Sequence, residues 1–314
     1  MNIGELRELI TSHARSTQVL SALGVALEAR LNGALADGEA AARTKAVVDA
    51  LGAAAALRDA SPAELTPMLA TIRSELLMGG RLMSDGSNVG GWQQSEDRLH
   101  QAFGDLSAGF GQLLRTRLSR ELPGLLESLS APEAAFLDIG TGVGALALGM
   151  LREWPRLSVV GIDPLPGVIA QAHANIAAAG FADRVTLRVG RGEDIAETSA
   201  YDLVFVPTAF IPEPAVALVV ERGAAALRPG GWLLLAAIDT ALDALPAALV
   251  RFRVATWGGT NFSEGAAETL LARHGLTDVR RIPGRPGMPF GFVAGRQRPQ
   301  RAEAADFATQ HLPS

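Results

Sequence analysis

No stretch limits what this chain can fold into more than Ala134 to Leu148, Ala-Ala-Phe-Leu-Asp-Ile-Gly-Thr-Gly-Val-Gly-Ala-Leu-Ala-Leu. An apolar run ends in a carboxylate and alternating glycines, then passes into small apolar residues at helical spacing. That order reads as a buried strand, a tight turn and the start of a buried helix. Gly140, Gly142 and Gly144 leave the main chain free to take positive φ and leave room for a ligand to lie against it, as in nucleotide-binding turns.

The chemistry beside the turn narrows the ligand. Gly140, Gly142 and Ala145 satisfy the dinucleotide pattern G-x-G-x-x-G/A, which is weak evidence when alone. Asp138 argues against that reading, because a carboxylate two residues before the first glycine repels a pyrophosphate. A second strand, Leu157 to Asp163, also ends in an acid, 25 positions after Asp138, about one strand-helix-strand repeat. Both acids then fall at the carboxyl ends of neighbouring parallel strands, where open α/β sheets bind ligands and where ribose hydroxyls need an acceptor.

Leu137-Asp138-Ile139-Gly140-Thr141-Gly142-Val143-Gly144, then Gly161-Ile162-Asp163, then Leu227-Arg228-Pro229-Gly230-Gly231-Trp232-Leu233-Leu234-Leu235 resemble, in order and spacing, the motifs of class I S-adenosylmethionine-dependent methyltransferases of the small-molecule type. The resemblance covers roughly Ala134 to Arg296. It implies an α/β fold with a Rossmann-like seven-stranded sheet, its last strand antiparallel, and an N-terminal all-helical domain. The cofactor implied is S-adenosyl-L-methionine, whose ammonium and sulfonium suit Asp138. The residues that match its binding positions are Asp138, Gly140, Thr141, Gly142, Gly144, Asp163, Pro164, Gly192, Glu193 and Pro207. Arg191 stands where the family frequently has the acid that meets adenine, so that contact passes to Glu193 or its neighbours.

For the acceptor side, the resemblance points to Trp92, Gln93, Phe103, Phe210 and Trp257 as substrate contacts and to His100 and Asp239 as bases. Two departures shape the expected substrate. Val206-Pro207-Thr208-Ala209 lacks the Asn/Asp-Pro-Pro-Tyr/Phe of amino-directed enzymes that act on nucleobases or glutamine. Ile238-Asp239-Thr240 stands where plant-type phenolic O-methyltransferases carry a histidine, so the base comes from elsewhere or the acceptor is already acidic.

Composition sets the outer limits. With 314 residues the chain suits one α/β domain and an appendage. A net charge of -5 and no basic cluster disfavour nucleic acid and anionic membrane as partners. There is no cysteine, the five histidines have no metal-ligand spacing, and no metal is expected. Lys45 is the only lysine, a poor candidate for Schiff-base or phosphate chemistry. Met1 to Arg7 has no leader pattern and no apolar run reaches the ~18 residues that span a bilayer, so a cytoplasmic protein is expected.

The expected organisation is a helical cap over 1–128, the binding domain over 129–297 and a loose tail over 298–314. Val19, Leu20, Leu23, Leu27 and Leu31 have helical spacing, and the N-terminal helices offer a surface for packing or for a homodimer. Ser61-Pro62-Ala63-Glu64 is a capping box that starts a helix running to about Met78. A glycine-rich hinge loop is expected over 79–91, then a helix capped by Ser95 that runs to about Leu114. Residues 251–260 read as a mixed stretch, and helical positions put His173 in solvent and His274 in a last turn. The expected activity is methyl transfer to a small molecule, at oxygen in secondary metabolism. Transfer to carbon or nitrogen and a nicotinamide-dependent oxidoreductase are the alternatives.

Overall fold

A computed structural model of the chain describes residues 1–33, 38–84, 97–238, 244–284 and 290–299. Helices α1 (Ile3–Asn32), α2 (Glu39–Ala50), α3 (Ala54–Asp59) and α4 (Pro62–Ser84) come first. After them stand α5 (Asp97–Ser107), α6 (Phe110–Thr116) and α7 (Leu125–Ser130). The alternating part runs β1 (Ala135–Ile139), α8 (Ala145–Glu153), β2 (Ser158–Asp163), α9 (Pro166–Ala178), β3 (Val185–Val189), β4 (Tyr201–Pro207), α10 (Glu213–Ala226) and β5 (Leu227–Ile238). Helices α11 (Ala244–Trp257) and α12 (Ala266–Arg273) lead to β6 (Thr277–Ile282) and β7 (Phe290–Arg296).

The seven strands form one sheet in the order β3-β2-β1-β4-β5-β7-β6. All neighbours are parallel except β7, which runs antiparallel to both β5 and β6. The expected sheet is therefore present. The order reverses at β1, so the carboxyl ends of β1 and its neighbours border the crevice where such sheets hold ligands.

Strand alternation divides the core. Phe136 of β1 joins Leu203 and Leu234 on one face, beneath α6, α7 and α8. Leu137 and Ile139 face the other way, with Val204 and Leu233, beneath α10 and α12. The α6–α8 crossing is so close that a Cβ on Gly111 would overlap the Gly149 carbonyl. Thus α6, on the N-terminal side of residue 128, and α7, which straddles it, supply core to the sheet.

The first four helices have a separate small core of Leu27, Leu65, Leu69 and Ile72. Asn2 caps α1, accepting from the Gly4 and Glu5 amides at 2.9 and 3.0 Å. The Ser61 box starts α4 as expected, its amide and hydroxyl both donating to Glu64, at 2.9 and 2.7 Å. No helix among the described residues is long and apolar enough to cross a membrane.

Three expectations need correction. The hinge loop expected over 79–91 is helical through Ser84, and residues 85–91 lie outside the described residues. Glycine in a helix costs roughly 1 kcal/mol against alanine, and Met78 and Leu82, on either side of the two glycines, are anchored among Leu99, Val254 and Trp257. The helix expected to run to Leu114 breaks after Ser107, where α6 turns to meet α8. Residues 251–257 belong to helix α11 rather than to an irregular stretch. Ser95 and residues 285–289 and 300–314 lie outside the described residues.

Candidate active site

A cavity of about 930 Å³ opens at the carboxyl ends of β1, β2 and β4, with α5 along one side. Of the ten residues matched to cofactor positions, Asp138, Gly140, Thr141, Gly142, Asp163, Pro164, Gly192, Glu193 and Pro207 line it. Gly144 does not. It caps α8 at φ 80°, where an added Cβ would press on Ile176 Cδ1 at 3.1 Å, so its role is to let the turn become a helix. Gly142, at φ 55°, would bring a Cβ within 4 Å of no described atom. The bend there presents bare main chain to the cavity.

Asp138 is 1% exposed and its Oδ2 accepts from Thr141 Oγ1 at 2.8 Å. Burial pushes its carboxyl up to about 7, against the pull of the Thr141 hydrogen bond, and the nearby Asp163 adds to the rise. Asp163 Oδ2 accepts from the Gly142 amide at 3.1 Å and Oδ1 from the Leu165 amide at 3.0 Å. Burial raises this carboxyl also, with those two amides opposing. The absence of a side chain at Gly161 makes room for Thr141, whose Oγ1 would lie 2.8 Å from a Cβ there. Among the described lining residues the only arginine is Arg191, and there is no lysine. Two buried carboxylates therefore face a cavity with little compensating charge, a setting suited to a cationic ligand rich in hydroxyls.

The other half of the cavity is aromatic. Phe210 and Trp257 stack at 4.7 Å with 12° between planes. Phe103 stands edge-on to both, at 6.0 and 5.3 Å. His100, 5% exposed, lines the same region. Three of the four expected aromatic contacts, Phe103, Phe210 and Trp257, and one of the two expected bases line this region. Trp92, Gln93 and Asp239 lie outside the described residues.

Further lining residues are illegible in the motifs. Phe110, Phe205 and Phe292 form a second aromatic group, with Phe110 4.9 Å from Phe205 and 6.0 Å from Phe292. A clamp fixes the first group. The Thr260 amide donates to the Thr208 carbonyl at 2.9 Å, and Thr260 Oγ1 to the Ile211 carbonyl at 2.7 Å. Between them Gly259 passes so close that a Cβ would overlap the Ala209 carbonyl. Trp257 is thereby carried onto Phe210. The one sequence signal was the Gly258-Gly259 pair, whose need for close approach is tertiary. His173 is exposed and His274 caps α12, both away from the cavity.

A family described as "Methyltransferase domain" matches residues 136–231, from β1 into β5. The release factor glutamine methyltransferase of Cereibacter sphaeroides is 36% identical over 141 residues, 37% of this chain and 51% of that protein. The chain spans about half the length of the curated relatives it matches. Among solved structures, an O-methyltransferase family protein from Burkholderia thailandensis superposes with a TM-score of 0.62 at 17% identity, over 95% of this chain and 99% of that one. Human N-acetylserotonin methyltransferase, solved with S-adenosylmethionine, gives 0.61 at 16% identity, over 95% and 100%. At such identities the likeness is one of fold, and it includes the N-terminal helices.

Proposed function

We propose that the protein is an S-adenosylmethionine-dependent methyltransferase that methylates a small, largely apolar acceptor at oxygen, a reading that starts from the match of residues 136–231 to a family described as "Methyltransferase domain" and from a fold shared with solved methyltransferases. The observation that carries the reading is a single cavity with two unlike halves. Buried Asp138 and Asp163 edge a bare glycine bend at one end, and a ring cluster of Phe103, Phe210 and Trp257 forms the other.

The donor set fits the cofactor. Asp138 suits an ammonium, Asp163 suits ribose hydroxyls, and the Gly140–Gly142 bend admits a ligand against main chain. A diphosphate would meet two carboxylates with only Arg191 to offset them. When bound, the cofactor supplies an electrophilic methyl group on a sulfonium. The chain's share is to align and to exclude water, which can be worth several kcal/mol of barrier. With the cofactor bound, the acceptor oxygen would take the methyl group, and an imidazole nitrogen of His100 would accept the proton which that oxygen gives up. A general base in this role contributes ~10² to 10⁴-fold. The cofactor product is the neutral thioether.

Phe103, Phe210 and Trp257 favour a planar acceptor, since rings recognise rings by stacking and edge contacts. The lack of lysine in the lining, with Arg191 on the carboxylate side, disfavours an anionic one. Glutamine, the target in the name of the Cereibacter relative, is disfavoured by Pro207-Thr208-Ala209-Phe210, where Thr208 Oγ1 donates to the Ala236 carbonyl at 2.7 Å. Nitrogen or carbon acceptors of the same shape would suit the aromatic wall as well. We also read α1 as the homodimer surface: residues 1–18 are exposed, with Ile3, Leu6 and Ile10 on one helical face. Sedimentation of Ile10→Glu against wild type tests it, and an unchanged mass refutes it.

Calorimetry with S-adenosylhomocysteine and with NADH tests the central reading. Binding of the thioether, and its loss in Asp138→Ala, is the expected result. Binding of NADH alone overturns it.

A further inference from the structure

Helix α5 lies across the glycine bend with no space between them, since a Cβ on Gly104 would overlap the Val143 side chain. A chain of amides holds the helix there. Gln101 Oε1 accepts from Asn175 Nδ2 and from Gln171 Nε2, both on α9, at 3.1 Å each. Asn175 Nδ2 also donates to the Val143 carbonyl, inside the glycine bend, at 3.0 Å. Gln171 Nε2 reaches the Asp97 carbonyl at 3.3 Å, and Gln101 Nε2 donates to Asp105 Oδ1 at 2.7 Å. One amide group, that of Asn175, therefore ties a residue of the bend to a residue of α5.

The same helix carries His100 and Phe103 into the acceptor half. On its far side it packs through Leu99 against Met78 of α4 and against Val254 and Trp257 of α11. The amides add a polar tie to the bend beside the Gly104–Val143 contact. With them, whatever fixes the Val143 carbonyl also fixes the helix.

We infer that Gln101 and Asn175 form a latch through which a cofactor seated on the glycine bend sets the position of His100 and Phe103. Gln101 is then a positioning residue of the acceptor site, and the acceptor binds after the cofactor. The inference rests on the methyltransferase reading. Its physical content is that ordering one end of a hydrogen-bonded chain lowers the entropy cost of ordering the other.

Amide hydrogen exchange of the full chain, with and without S-adenosylhomocysteine, tests it by reading residues 97–107 and 139–150 separately. In the wild type the ligand slows exchange in both segments, by about tenfold or more. Gln101→Met keeps the side-chain length and removes the accepting oxygen. In that variant 139–150 still slows while 97–107 changes by less than about twofold. Asn175→Ala abolishes the response from the other end. Protection of the bend without protection of α5 in the wild type overturns the latch and leaves the cofactor reading standing. An α5 response that survives both Gln101→Met and Asn175→Ala overturns it too. If the ligand protects neither segment of the wild type, the cofactor reading fails and the latch with it.

Discussion

Asp138→Asn separates binding from stability in a way that few substitutions can. The wild-type carboxyl is buried, and burial raises it from 3.8 to about 7 in the folded chain. Between those values the folded state holds a proton that the unfolded state has released, so stability falls as pH rises. Three pH units at 1.36 kcal/mol each give a loss of about 4 kcal/mol, complete above pH 7. Asparagine has no proton to lose, and its Oδ1 can still accept from Thr141 Oγ1, now 2.8 Å from the carboxylate. The variant therefore matches the wild type near pH 4 and exceeds it by about 4 kcal/mol at pH 8, read from denaturant midpoints across that range. Ligand affinity goes the other way. S-adenosylhomocysteine, which keeps the ammonium, binds the wild type about tenfold more weakly per unit below pH 7, with proton release, and the variant loses this dependence with the affinity. Parallel stability curves for the two proteins from pH 4 to 8 would refute the claim that an uncompensated buried charge sits at the bend.

Gly259→Ala sets a Cβ against the Ala209 carbonyl, which should cost about 1–3 kcal/mol as overpacking and weaken the near-ultraviolet circular dichroism of the Phe210–Trp257 stack; an unchanged signal and melting point would show that the clamp is loose. Gly111→Ala overlaps the Gly149 carbonyl at the α6–α8 crossing, whereas Gly109→Ala meets no described atom within 4 Å. The first should lose about 1–3 kcal/mol or more and the second stay within about 0.5, and equal melting points would contradict the close crossing.

How much of this was legible follows from how local each signal is. The β1–bend–α8 unit is written in consecutive residues, Phe136 to Leu151, and its period changes from two to helical at the glycines. That β1 and β2 are parallel neighbours followed from two acids one repeat apart, while the seven-stranded sheet was expected only from the family resemblance. By contrast α11 was missed because Leu249-Val250-Arg251-Phe252-Arg253-Val254 mixes β-branched and aromatic residues with arginines at no clear period. Its helix is stabilised by what it meets: Val254 and Trp257 buried against α5, and Arg253 paired with Glu75 of α4 at 2.5 Å. The same cluster carries α4 past Gly79 and Gly80, where local rules alone end the helix.

The two halves of the cavity differ for the same reason, and the difference bears on what each can specify. The positions that would hold the cofactor are mostly main chain and two acids, clustered from Asp138 to Pro164 with Gly192, Glu193 and Pro207 farther on. Those contacts need particular residue types at fixed spacing, so they leave a pattern. The acceptor wall is drawn from α5, the end of β4, α11 and β7, more than 180 positions apart in sequence between His100 and Phe292. Any apolar ring of suitable size serves at those places, and where the rings stand depends on tertiary features such as the close passage of Gly259 and Gly104 and the Thr260 clamp. On the proposed reading, substrate choice would be set by the packing of helices onto the β4 loop. Changes at the glycines that permit that packing should alter the acceptor range before they alter cofactor affinity.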